Sequence, residues 1–411
     1  MKKLMLLGGS RYALPVIETA HKLGLYVITC DYLPDNIAHK YSDQYCNVSI
    51  IDKYAVLKVA QELQIDGIMS FACDPGVVTA AYVAEKMGLP SCGSYETVSI
   101  LQNKARFRRF LTDNGFNVPK IHSYNSVEDA IREKDIIEYP VIVKPVDSAG
   151  SKGVTRVNSS DELFAAVEHA FDYSLGSQII IEDYLEKVGY SSDTDCFSVD
   201  GKLRFVSFNS QRFDESSDNP YAPAAFSWPS SMPSEVELEL TNEIQRVITL
   251  LNLGNSIYNV ETRLATNGKP YIMEISPRGG GNRLAECLRY ATGVDLIEGA
   301  VRAALGMPIE NITQQPYSGH WAEVVLHSEN NGAFRGLWIS DAIKDCVVEK
   351  DLWVQEGDKV FGFDSANKAI GTLVLKFKDQ ASLDNVMNHI SEYVKVRTEE
   401  SDLWKLEVIS V

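Results

Sequence analysis

Over residues 1–95, short apolar runs alternate with segments whose apolar positions recur every three or four residues. The run KLMLLGG predicts a buried strand that ends in glycines, YVITCD (26–31) and GIMSFA (67–72) predict two more, and helical spacing covers 13–23, 53–64 and 77–87. Strands that alternate with helices through short links imply a parallel sheet covered on both faces. The polar and apolar positions of 97–115, which contain NKARFRRFLTDNG, predict one basic amphipathic helix closed by Gly115. EYPVIVKPV (138–146), DSAGSKGV (147–154), a helical stretch at 160–171 and SQIIIEDYL (177–185) form a small α+β unit. Strand patterning resumes over 194–208, with a turn at Asp200-Gly201. Residues 209–234 are rich in Ser and Pro and show no period, so a long functional loop is expected there, mobile over 210–232. A helix (235–251), a hairpin (257–276), a glycine run (279–281) and a helix (282–291) follow. From about 318, strands around GDKV and AIGTLVLKF and a helix (381–394) read as a separate small α+β domain.

The hairpin carries the sharpest chemistry. Asn267-Gly268 is a strong two-residue turn signal. With that turn Thr266 faces Lys269, Leu264 faces Tyr271 and Glu261 faces Glu274. Carboxylates so placed have Cβ atoms about 4.5–5.5 Å apart and repel. Ser276 projects from the same face two residues on, and Arg263 projects beside Glu261. Three oxygen-bearing side chains on one face suit Mg²⁺, which often shares them with substrate phosphates. The pattern equally allows Arg263 or Arg278 to neutralise the pair with no metal.

Lys144 stands near the end of an apolar run, followed by the small-residue loop Ser148, Ala149, Gly150, Ser151 and Gly153. Such a loop lets backbone N–H groups approach phosphate oxygens, with a lysine as a point charge on the same anion. It is also what an ordinary turn looks like. Glu182 and Asp183 end a strand whose edge could meet a purine, or are simply solvated acids. Gly8-Gly9-Ser10 ends the first strand, but GGSRYALP lacks the spacing of a dinucleotide fingerprint, which disfavours a NAD-dependent oxidoreductase.

The chain of 411 residues is long enough for two or three domains and a sizeable core. Its net charge of −17 opposes a phosphate backbone or an anionic membrane as the main partner, while leaving room for a local basic pocket. The seven cysteines never form a CxxC pair, which fits reduced thiols rather than a zinc site or a disulfide scaffold. The apolar run Leu4–Leu7 is too short for a signal-peptide core, and no run approaches a membrane span. The expected location is cytoplasmic.

Taken in order, these segments resemble the ATP-grasp superfamily from about residue 1 to 315: a Rossmann-like start, Lys104 in NKARF, Lys144 in VIVKP, the loop DSAGSKGV, the linker Glu182 to Leu185, and the pair Glu261-Thr-Arg263 and Glu274 to Arg278. The resemblance implies a mixed α/β and α+β architecture. A Rossmann-like domain (1–96) would precede an ATP-grasp domain (97–317, with a lid at about 117–185) and a C-terminal α+β domain (318–411). It implies that Lys104 and Lys144 bind ATP phosphates, that Ser148, Gly150, Ser151, Gly153 and Val154 close over them, and that Glu182, Asp183 and Leu185 hold adenine. Glu261, Glu274 and Ser276 would ligate Mg²⁺. Arg278, together with Lys144, would serve catalysis by stabilising charge on the transferred phosphoryl group. The family often has Asn where Ser276 stands, and for ribose GYSSD offers only Ser191, Ser192 or Asp193.

The implied reaction is phosphorylation of a carboxylate to an acyl phosphate, with release of ADP and attack by an amine. The branch it most resembles contains amino-acid (dipeptide-type) ligases. Arg212, Gly280 and Arg283 are the expected substrate contacts, Gly280 lying in a glycine run whose backbone donors at a helix start suit a carboxylate. A bicarbonate-activating carboxylase of the biotin-carboxylase or carbamoyl-phosphate type, and a nucleotide-binding module without turnover, are the alternatives. The implied partners are a small carboxylate and an amine, with neither nucleic acid nor membrane, and a homodimer is compatible.

Overall fold

The computed structural model describes residues 1–148, 152–217 and 219–399. The described residues form two compact units. The first comprises 1–208, 232–289 and 293–315, and the second 209–231, 290–292 and 316–399. The junction expected at 96/97 falls inside the first unit. None of the helices formed by the described residues is long and apolar enough to cross a membrane.

In the first unit, Leu4, Met5, Leu6 and Leu7 are buried because their strand is central: Lys3–Leu7 pairs in parallel with Tyr26–Asp31 on one side and Gly67–Ser70 on the other. Gln44–Asn47 completes the sheet as an edge strand that the apolar pattern did not disclose. A second sheet, ordered Ile121–Tyr124, Ile179–Asp183, Val141–Pro145, Thr155–Val157, is antiparallel and carries Lys144 and Glu182. A third, ordered Lys202–Phe205, Ser192–Val199, Ser256–Leu264, Pro270–Ser276, carries the predicted carboxylates. Its apolar face rests on the Ser234–Leu250 helix through Leu240, Ile244, Val247 and Ile248, packed with Tyr258, Val260, Ile272 and Ile275.

Several expectations need correction. The helix expected over 97–115 is two helices, Tyr95–Gln102 and Lys104–Asp113, broken at an extended Asn103. The break is a capping site: the Asn103 side chain accepts a hydrogen bond from the Arg106 N–H at 3.0 Å, satisfying a donor that a helix start leaves unpaired. It makes Lys104 the first residue of a helix, whose backbone N–H bonds the Val146 carbonyl at 3.0 Å. The helix expected from 282 begins at Leu284, because Asn282 and Arg283 both take left-handed backbone angles.

The hairpin turn is also different. Ala265 N–H bonds the Lys269 carbonyl and Gly268 N–H bonds the Ala265 carbonyl, so three residues lie in the loop, with Gly268 at φ 77°. Leu264 therefore faces Pro270, not Tyr271, and Lys269 lies opposite Ala265, not Thr266. A bulge at Met273 then shifts the register back, and Glu261 faces Glu274 as expected.

In the second unit the segment expected to be a loop supplies two strands, Ser210–Phe213 and Pro223–Trp228, to a sheet continued by His320–Leu326, Gly371–Phe377 and Val347–Leu352. Ala224 to Trp228 are all buried, so no polar alternation marks the strand. His327 joins the connecting segment to the sheet. One ring nitrogen lies 2.7 Å from the Val325 carbonyl and the other 3.1 Å from Asp214, while the ring stacks on Phe363. The His327 hydrogen bond, opposed by burial and aided by Ser216, holds the Asp214 carboxyl well below its ordinary range.

Two outcomes follow. Asn103→Ala lowers unfolding free energy by about 1 kcal/mol in a urea titration. Asp214→Asn costs about 1–2 kcal/mol above pH 4. Because the folded-state pKa is depressed, that gap between wild type and variant is full above the unfolded carboxylate range, narrows as pH falls below it and is lost only as pH passes the depressed folded-state value, so the difference in thermal midpoint is smaller at pH 3 than at pH 7.

Candidate active site

The third sheet of the first unit concentrates charge on one face. Across three neighbouring strands, Asp193 faces Glu261 and Glu261 faces Glu274. In the next row Asp195 faces Asn259 and Asn259 faces Ser276. Facing residues on paired strands project to one side, so three carboxylates stand in line with a polar row beside them.

What permits this is a surround of cations and amide donors. Lys104 Nζ lies 3.3 Å from Glu274, and Arg263 lies 3.7 Å from Glu261. Asn259 donates to Asp193 at 2.8 Å and to Asp195 at 3.4 Å, and the Gly280 N–H donates to Asp195 at 2.8 Å. The inner acids still feel their position. Burial, reinforced by the Glu261 charge, pushes Asp193 up to about 7, and burial does the same to Asp195 against the Gly280 hydrogen bond.

The other expected residues fall as follows. Glu274 and Glu261 keep 30% and 35% of their side chains exposed, so their oxygens are accessible. Ser276 is buried, donates to Asp74 at 2.8 Å and accepts from Gln102 at 2.7 Å. Arg278 pairs with both oxygens of Asp74, at 2.8 and 2.6 Å, not with the Glu261–Glu274 pair. Lys104 Nζ also reaches the Ser148 carbonyl at 3.0 Å, which joins the helix start to the glycine-rich loop. Gly150 and Ser151 lie outside the described residues. Gly153 has φ 70°, and a Cβ there would strike Pro145 and Tyr173, so the loop returns against the sheet at that point. Val154 leads into the Thr155–Val157 strand.

Glu182 is almost wholly buried and forms ion pairs with Lys144 and Arg108; its carboxylate is directed at these cations. Asp183 accepts from the Lys120 N–H, and Leu185 packs with Ala265, Tyr271 and Met273 while its carbonyl accepts from Arg263. In the glycine run, the Gly280 N–H expected to cradle a carboxylate is bonded to Asp195. A Cβ at Gly280 would meet Leu284, Asn259 and Asp195 at 3.0 Å or less. Arg283 contacts Glu286 at 3.3 Å. Arg212 belongs to the second unit, where it donates to the Ser210 carbonyl and the Ser227 hydroxyl.

Asp74, Gln102, Arg108, Asp195 and Asn259 were not anticipated. Two sequence signals could have found part of this set. The i, i+4 spacing of Lys104 and Arg108 puts both on one helix face, and Asp193-Thr-Asp195 puts two acids on one strand face.

Among the described residues no three His, Cys, Asp or Glu side chains gather tightly enough to form a ready-made metal centre. The donor set nevertheless fits Mg²⁺, an oxygen-seeking ion that commonly takes one or two carboxylates and completes its shell with water and substrate phosphates. Glu261 and Glu274 supply two accessible carboxylates, with Lys104 beside them as a cation for the same anion.

Residues 101–282 match the ATP-grasp domain family. The chain is 27% identical over 241 residues to the carbamoyl phosphate synthase large chain of Thermoanaerobacter sp. strain X514, an alignment that covers 56% of this chain and 21% of that protein. The chain thus spans about a fifth of the length of that relative. It is 23% identical over 414 residues to the formate-dependent phosphoribosylglycinamide formyltransferase of Bacteroides thetaiotaomicron, covering 96% of this chain and all of that one. In three dimensions it is similar to the L-amino acid ligase of Bacillus licheniformis (TM-score 0.81, 19% identity, 97% and 99% of the two chains) and to a phosphoribosylglycinamide synthetase of Anaerococcus prevotii (TM-score 0.75, 19% identity, 97% and 100%). The chain therefore shares the fold of these two enzymes over nearly its whole length and carries, at residues 101–282, an ATP-grasp domain, the unit with which ATP-grasp enzymes use ATP and Mg²⁺.

Proposed function

We propose that the protein is an ATP- and Mg²⁺-dependent ligase that activates a small carboxylate as an acyl phosphate and joins it to an amine, with amino acids as substrates. The observation that carries this reading is the facing pair Glu261 and Glu274 beside Lys104 within the ATP-grasp domain. The likeness to the L-amino acid ligase supports the choice of amino acids.

A substrate carboxylate oxygen attacks the γ-phosphorus of ATP, the bond to the bridging oxygen breaks and ADP leaves. The amine nitrogen then attacks the acyl carbon, the carbon–oxygen bond to phosphate breaks, and the nitrogen's proton passes to solvent. In this reading Lys104 and Lys144 contact the phosphates, and the backbone around Ser148, Gly153 and Val154 closes over them. Glu182, Asp183 and Leu185 border the adenine. Glu261 and Glu274 would hold Mg²⁺, which would supply neutralisation of phosphate charge. Arg278, oriented by Asp74, faces developing negative charge. Arg283 contacts the substrate. No nucleophilic side chain is required, since positioning and charge neutralisation carry phosphoryl transfer.

A second reading has one specific support. The formate-dependent formyltransferase is similar along the whole chain, so formate is the rival carboxylate.

A phosphate-release screen over pairs of amino acids, with formate plus amines and bicarbonate alone as parallel arms, separates these readings. Release that needs both an amino acid and an amine supports the proposal. Release with formate or bicarbonate alone replaces it, and nucleotide binding without release in any arm reduces the protein to a nucleotide-binding module. With the productive pair in hand, Glu274→Gln lowers turnover about a hundredfold while the thermal midpoint stays within a few degrees. Unchanged turnover refutes the metal assignment.

A further inference from the structure

Arg108 has no exposed surface, an unusual place for a guanidinium. It lies four residues after Lys104 on the Lys104–Asp113 helix and so shares that residue's face. Its guanidinium divides its donors between two elements. Nε reaches Glu182 at 2.9 Å and Nη2 reaches the other Glu182 oxygen at 3.5 Å. Nη1 donates to the Met273 carbonyl at 2.7 Å. That second oxygen of Glu182 is the one paired with Lys144.

Met273 is the extra residue of the bulge that returns Glu274 to its place opposite Glu261. A bulge leaves backbone groups without their ladder partners, and a buried carbonyl so released needs another donor. Burial alone would raise the Glu182 carboxyl; the Arg108 and Lys144 charges more than reverse this and hold it at about 2. The carboxylate is thus an anion between two cations of different duty.

We propose that Arg108 is a positioning residue that ties together the two sides of the nucleotide site, orienting Lys144 through Glu182 and holding Glu274 opposite Glu261 through the Met273 carbonyl. The proposal rests on the reading above that Lys144 and Glu274 serve Mg²⁺ and ATP. It explains why an arginine stands here. A planar fork serves a carboxylate and a carbonyl at once, whereas a lysine is a single point charge.

The test compares the full chain with Arg108→Lys and Arg108→Met by calorimetric titration of ADP, with and without Mg²⁺, and by amide hydrogen exchange over 179–183 and 270–276. Arg108→Lys keeps a charge for Glu182 and is expected to bind metal-free ADP within about threefold of wild type. Its Mg²⁺-dependent tightening should fall about tenfold or more, and exchange should rise across 270–276 but not 179–183. Arg108→Met is expected to weaken ADP binding in both conditions and to raise exchange in both strands. Should the methionine variant fail to fold, the lysine variant decides. Wild-type exchange in 270–276 together with wild-type Mg²⁺ dependence in Arg108→Lys overturns the proposal. If wild type itself binds no ADP, the functional reading falls, and the exchange pattern alone then tells whether Arg108 holds the bulge: a rise confined to 270–276 in the lysine variant upholds that role, and no rise ends it.

Discussion

Like charges set face to face across a strand pair repel, and the first unit is organised around tolerating that repulsion. Asp193, Glu261 and Glu274 form a row across three strands. Lys104 approaches from a helix start, Arg263 from the same strand as Glu261, and Asn259 from the neighbouring row. None of these quenches the pair completely, since both glutamates remain about one-third exposed. A sheet selected for stability alone would place a β-branched or aromatic pair there. Keeping acids at this position makes sense when a further cation joins them.

The neighbouring acids are held differently. Asp74 takes both arms of Arg278 and the Ser276 hydroxyl, and Glu182 takes Arg108 and Lys144. Glu182 is buried and Asp74 largely so, and losing a cation partner there would leave an uncompensated charge. Glu261 and Glu274 contrast with them in being accessible. The site thus separates acids that orient cations from acids left open toward solvent, and the proposed metal site at the hairpin draws on the second kind.

The sequence made much of this legible, for reasons that differ by element. The parallel sheet at the start was readable because Leu4 to Leu7 form an unbroken apolar run with Gly8-Gly9 at its end. The opposition of Glu261 and Glu274 was readable from Asn267-Gly268, although the turn holds three residues. The added residue at the turn and the bulge at Met273 offset each other, so the pairing at Glu261 is unchanged while that of Leu264 is not. The break at Asn103 was hidden because Asn is tolerated in a basic amphipathic pattern, and only its side-chain bond to Arg106 marks it as a cap. The strands at 210–213 and 223–228 were hidden because Ser, Pro and buried Ala carry no alternation. Arg108 looked like one more solvated base on a basic helix. Its partners, Glu182 and Met273, lie far away in sequence, so only the fold reveals them.

The most direct test of the account is a crystal structure of the full chain with Mg²⁺ and a non-hydrolysable ATP analogue. The expected result is an ion with oxygens of both Glu261 and Glu274 in its shell and phosphate oxygens completing it, and with Lys104 moved from Glu274 toward the phosphates. A nucleotide bound with its metal elsewhere, and Glu261 and Glu274 still turned to Arg263 and Lys104, would contradict it.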